Sequence, residues 1–173
     1  MKILVLNGSP RPNGATADMV NAFAQGATEA GRAVNVVPVA RKNIKGCLAC
    51  EYCHRKGNGS CVQKDDMQEL YPEFLSSDMI VFASPIYYFT LSAQLQAVIH
   101  RTYALGIPRN VKKTALILSS GDAGVYEPAI GEYTNAIVDW WGVENAGIFT
   151  AHGSENKSEA KRRELYDFGR GLK

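Results

Sequence analysis

Ile3-Leu4-Val5-Leu6-Asn7-Gly8-Ser9-Pro10-Arg11-Pro12-Asn13-Gly14-Ala15-Thr16 begins with four apolar residues that a polar, glycine- and proline-rich turn cuts off. The apolar run reads as a buried strand. Thr16 to Ala30 reads as a helix, with Met19, Val20, Phe23 and Ala27 on one face and Gly31 as its stop. The alternation continues outward from this unit. Ala33 to Val39, Asp78 to Ala83, Lys113 to Ser119 and Val143 to Thr150 read as four more strands. Between and after them, helices are predicted from a cap at Asp65 or Asp66 through Phe74, over Ser92 to Leu105, over Pro128 to Trp141 and over Glu155 to Gly169. Five βα units predict an α/β fold, a parallel sheet covered by helices on both faces. The length of 173 residues predicts a single domain over 1–173.

In such sheets a ligand sits beyond the carboxyl ends of the strands, where the strand order reverses. The loops after strands one, three and four are therefore expected to carry the site. The first offers hydroxyls at Ser9 and Thr16, an amide at Asn13 and a guanidinium at Arg11, with Gly8 and Gly14 allowing close backbone approach. Free N–H groups at the start of the following helix favour an anion. The Lys-Ser/Thr pair of a triphosphate loop and the Gly-x-Gly-x-x-Gly of a dinucleotide loop are both missing, so a phosphate monoester fits best. The second loop, Ala83-Ser84-Pro85-Ile86-Tyr87-Tyr88-Phe89-Thr90, offers flat aromatic surface suited to a large π system. In the third, Ser119-Ser120-Gly121-Asp122-Ala123-Gly124, backbone donors could stabilise charge on a reduced ring.

Leu6-Asn7-Gly8-Ser9-Pro10-Arg11 with Asn13 and Thr16 resembles the opening of the NADPH-dependent FMN reductase family, within the flavodoxin-like superfamily. Ser84-Pro85-Ile86-Tyr87, followed by Leu95 and Arg101, resembles that family's ring-binding segment, with His100 where members often carry Asp. The resemblance implies a flavodoxin-like doubly wound sandwich with five parallel strands in the order 2-1-3-4-5. It implies an FMN phosphate held by Ser9, Arg11, Asn13, Gly14, Ala15 and Thr16. It also implies a flavin ring against Pro85, Ile86, Tyr87 and Tyr88, with Ser120 and Gly121 beside it. The implied activity is an NAD(P)H-dependent flavin oxidoreductase. NADPH or NADH would give electrons through the flavin to a quinone, free flavin or an iron–sulfur cluster. No catalytic acid, base or nucleophile is demanded of the protein. Homodimers or homotetramers are implied as well. The alternative is a non-catalytic flavodoxin-like electron carrier, against which the net charge of +2 argues, since carriers usually present a strongly acidic face.

Cys47-x2-Cys50-x2-Cys53-x7-Cys61 could converge on one metal or cluster. The spacing resembles the cysteine motif of the iron–sulfur flavoprotein family, which implies a [4Fe–4S] cluster on Cys47, Cys50, Cys53 and Cys61. Zinc, a redox disulfide and empty thiols are the other readings. Charged residues make up 21% and hydrophobic residues 46%, with the cations scattered, so neither nucleic-acid nor membrane partners are expected. Ile3 to Leu6 is too short for a signal-peptide core, and a cytoplasmic location is expected. Trp140-Trp141 reads as core or subunit contact, and Lys157 to Arg163 as a solvated face.

Overall fold

The computed structural model describes residues Met1–Lys173. Its chain order is β1 (Lys2–Asn7), α1 (Ala15–Glu29), β2 (Ala33–Val37), α2 (Tyr52–Arg55), α3 (Met67–Ser76), β3 (Met79–Pro85), α4 (Ala93–Arg101), β4 (Lys113–Ser120), α5 (Glu127–Tyr133), β5 (Glu144–His152) and α6 (Glu159–Gly171). The strands form one parallel sheet in the order β2-β1-β3-β4-β5. Both the fold class and the strand order match the sequence expectation.

Alternation along each strand feeds two cores. Leu4, Leu6, Ile80, Phe82, Leu116 and Leu118 face one side, where they pack with residues of α3, α4 and α5. Ile3, Val5, Met79, Val81, Ala115 and Ile117 face the other, against Met19, Val20 and Phe23 of α1 and Leu165 of α6. Burial on both faces is why the central strands read as unbroken apolar runs.

Several boundaries differ from the periodic reading. The second strand ends at Val37, and a 3-10 turn follows over Val39–Arg41. The fourth helix ends at Arg101 and tightens into a 3-10 turn through Leu105. The helix predicted to Trp141 is α-helical only to Tyr133 and then widens into a π-helix over Thr134–Asp139. Trp141 is buried while Trp140 is 71% exposed, so the pair is split between core and surface. Neither Asp65 nor Asp66 makes a simple N-cap: Asp66 accepts from the Asn43 N–H at 2.7 Å, and Asp65 faces Arg101. No helix is long and apolar enough to cross a membrane.

Helices α1 and α6 approach to backbone contact. A Cβ at Gly26 would lie 2.0 Å from the Tyr166 carbonyl oxygen, and one at Gly169 would lie 2.3 Å from that of Phe23. This packing sets the position of α1, and with it the helix start beside the first loop.

Candidate functional site

The loop after β1 is folded by its own polar groups. The Gly8 N–H extends the β1–β3 ladder to Ala83 O at 2.8 Å, and Ser92 Oγ, the N-cap of α4, donates to Gly8 O at 2.8 Å. A Cβ at Gly8 would fall 2.6 Å from that Oγ, so only glycine admits the approach. The Ser9 N–H donates to Asn7 Oδ1 at 3.0 Å, and Ser9 Oγ accepts the Arg11 N–H at 3.2 Å. At the start of α1, Gly14 provides no side-chain cap. The N–H groups of Ala15, Thr16 and Ala17 have no partner in the chain, as a first helical turn leaves them. A Cβ at Gly14 would sit 2.9 Å from Arg11 Cβ and crowd the loop.

Three loops meet over one cavity of about 210 Å³ at the carboxyl edge of the sheet. Ser9, Arg11, Gly14, Ala15 and Thr16 line it from the loop after β1 and the start of α1. Pro85, Ile86 and Tyr87 line it from the end of β3, and Ser120 and Gly121 from the end of β4. These are residues singled out from the sequence. Asn13 and Tyr88 lie outside. Asn13 borders an outer hollow of about 700 Å³ shared with Gly153–Lys157, and its carbonyl accepts Lys157 Nζ at 2.8 Å. Tyr88 is 96% exposed. Lys157 and Arg162, which pairs with Asp18 at 2.8 Å, make these contacts from a stretch that is solvent-exposed, as the sequence suggested.

Tyr88 and Phe89 occupy a tight turn. The backbones of Tyr87 and Thr90 exchange both hydrogen bonds at 3.1 Å, and the two residues between have φ of 48° and 67°. That is a type I′ arrangement, whose central positions ordinarily go to Asn or Gly.

Of the two remaining cavity residues, Ser119 was named with the third loop, whereas Asn156 carried no sequence signal. Ser119 Oγ lies 2.7 Å from Thr16 Oγ1, joining the end of β4 to the start of α1. Asn156 arrives from the 3-10 turn Gly153–Lys157 that follows β5, and its Nδ2 donates to Ser120 O at 2.7 Å. The β4 end is braced further by Ser120 Oγ and Tyr126 OH, 2.6 Å apart, with Tyr126 OH donating to Ala151 O at 2.7 Å.

Arg101 belongs to a different place. It is 1% exposed and pairs in bidentate fashion with Asp65, at 2.6 and 3.0 Å, while Nη1 also reaches Lys45 O at 2.9 Å. The partner that the His100 position does not supply therefore comes from the start of α3. Arg101 lines a narrow chamber with Cys47, Cys50, Cys53 and Cys61, whose open space is about 20 Å³. Burial pushes the Cys53 thiol pKa up. The thiols share this chamber, but no three potential ligands close on a common centre. The loop as it stands fits neither a zinc ion, whose ligands must converge on one point, nor a cubane, because the chamber has room for about one water.

A family model described as NADPH-dependent FMN reductase matches residues 1–130. The chain belongs to that family. An iron-sulfur flavoprotein of Archaeoglobus fulgidus is 32% identical to this FMN reductase family member over 154 residues, spanning 88% of this chain and 69% of that protein. An iron-sulfur flavoprotein of Methanocaldococcus jannaschii is 36% identical over 105 residues, and the match spans 61% of this chain and 52% of the relative. Among solved structures, the NAD(P)H:quinone oxidoreductase from Methanothermobacter marburgensis superposes with a TM-score of 0.74 at 19% identity, covering 98% of this chain and 92% of that one. An FMN-dependent NADH-azoreductase from Bacillus anthracis, solved with FMN, gives 0.72 at 16% identity, covering 98% of each. At those identities the structural likeness is one of fold. The family is one of NAD(P)H-dependent flavin oxidoreductases, and as a member this chain is an enzyme of that class.

Proposed function

We propose that residues 1–173 form one FMN-binding domain that takes electrons from NADPH or NADH and delivers them to a small oxidised acceptor of the quinone or free-flavin class. The observation that carries this reading is the meeting of three loops over a single cavity beside an uncapped helix start. Bound FMN supplies the hydride-accepting and electron-passing chemistry. The protein's part is to bind, orient and polarise. The free N–H groups of Ala15, Thr16 and Ala17 and the α1 dipole grip the phosphate, and Arg11 offsets its charge. Thr16 and Ser119, bonded to each other, hold the cradle to the sheet. Pro85, Ile86 and Tyr87 offer the surface for the ring, and Ser120 and Gly121 offer backbone polarity at its edge. The cysteine chamber in its present shape does not fit a cluster, and the proposed reaction does not depend on it. Iron and acid-labile sulfide in stoichiometric amounts after anaerobic purification would restore a cluster as acceptor. Membership in this family supports assembly as a homodimer or homotetramer.

Removing both side-chain contacts tests the site. Arg11→Ala combined with Thr16→Ala is expected to weaken FMN binding by roughly 100-fold, as loss of about 3 kcal/mol of charge-assisted hydrogen bonding implies. The variant should still fold cooperatively, with Tm lower by about 2–4 °C for the lost Thr16–Ser119 hydrogen bond. Fluorescence titration giving unchanged affinity in a folded variant would remove the phosphate assignment. NAD(P)H oxidation with added quinone or ferricyanide separates the enzyme from an electron carrier, which would show none.

A further inference from the structure

The turn after β5 touches two of the three loops that bound the cavity. Lys157 Nζ donates to Asn13 O of the first loop at 2.8 Å, and Asn156 Nδ2 donates to Ser120 O of the third at 2.7 Å. Asn156 lines the inner cavity and the outer hollow alike, so it stands between the phosphate cradle and the end of β4. Its amide cannot be turned over, because the carbonyl of Ser120 accepts only and requires Nδ2 on that side. Oδ1 is consequently fixed on the other side. It is shielded from solvent and has no hydrogen-bond partner.

A buried acceptor without a donor is rare in a native protein and unfavourable. A donor belonging to a ligand would satisfy it. In FMN the phosphate dianion donates nothing, while the ribityl chain carries hydroxyls and spans phosphate and ring. We infer that Asn156 is a further FMN-binding residue, whose Oδ1 accepts a hydrogen bond from a ribityl hydroxyl. The inference rests on the FMN reading above and extends it: the fifth loop selects a flavin by its sugar chain, whereas the other loops read phosphate and ring.

The test uses FMN and its 2′-, 3′- and 4′-deoxy analogues with the parent chain and with Asn156→Ala. The parent should bind one deoxy analogue about 10-fold more weakly than FMN, the value of one ordinary hydrogen bond. Asn156→Ala should bind FMN about 10-fold more weakly than the parent does and should not distinguish FMN from that analogue. If the parent binds all three analogues as tightly as FMN, no hydroxyl is read and the inference falls, whether or not the variant folds. If Asn156→Ala discriminates as fully as the parent, another group reads the hydroxyl and the inference falls as well. If the parent binds neither FMN nor any analogue, the FMN reading itself fails and takes the inference with it, an outcome distinct from the other two.

Discussion

Arg101→Met is expected to lower the unfolding free energy by about 3–5 kcal/mol, the usual result of stranding one member of a buried ion pair. The side chains of Arg101 and Asp65 are 1% and 3% exposed. Asp65 also accepts the backbone N–H of Lys45 at 3.1 Å and of Met67 at 3.2 Å, so it ties the entrance of the cysteine loop to the start of α3. Without the guanidinium its carboxylate would remain buried among groups that cannot neutralise it. Removing both partners, as Arg101→Met with Asp65→Leu, should be milder than Arg101→Met alone. Urea unfolding of the two variants checks this, and a single-variant loss under 1 kcal/mol would refute it. The pair also predicts a response to acid. Burial pushes the Asp65 carboxyl up, but the Arg101 hydrogen bonds and the Lys45 N–H together outweigh that and leave its pKa below the ordinary 3.8. A carboxyl depressed in the folded state contributes stability that is present above pH 3.8 and disappears as the pH falls through the lower, folded value. In the doubly substituted chain this part of the acid sensitivity should be absent.

Gly26→Ala and Gly169→Ala are expected to be damaging as well, though less so. Alanine in place of glycine gains about 1 kcal/mol of helix propensity. Against that, the added carbon at either position meets backbone of the facing helix, 2.0 Å away at Gly26 and 2.3 Å at Gly169. Backbone cannot rotate aside as a side chain can, so the helices must separate, and overpacking of this kind costs about 3 kcal/mol or more. The net loss of about 2 kcal/mol should lower Tm by about 4–8 °C in a chain of this size. The double variant should lose less than the sum, because one separation of α1 from α6 accommodates both methyl groups. FMN affinity should fall in parallel, since moving α1 moves the phosphate cradle. Calorimetry showing either alanine variant as stable as the parent would contradict the packing argument.

These results bear on what the primary structure can convey. The strand cores were legible because Ile3–Leu6 and Met79–Ala83 are buried on both faces and show as continuous apolar runs. The first loop was legible because its glycines, hydroxyls and arginine are contiguous. What escaped was assembled across distance. Asn156 reaches Ser120 only because β4 and β5 are neighbours, which places two loops 36 residues apart on one edge. Asp65 looked like a helix cap because its true partner, Arg101, is also 36 residues away and carries no local mark of the pairing. Arg101 in turn sits in a segment that resembles a ring-binding one, yet it ends α4 and its side chain lines the cysteine chamber there. The π-helical widening after Tyr133 follows no periodic signal, because the apolar spacing through Ile137 and Trp141 suits an ordinary helix equally well.

The turn at Tyr88 and Phe89 places two wishes for this protein in opposition. Each left-handed residue without glycine's freedom holds about 1–3 kcal/mol that the fold could recover. An engineer seeking durability would write Asn-Gly there and expect a gain. The same exchange would erase two aromatic rings, 96% and 54% exposed, that directly follow Tyr87 of the cavity wall. A library randomised at those two positions, scored for Tm and for NAD(P)H oxidation, would show how far robustness and turnover trade against each other.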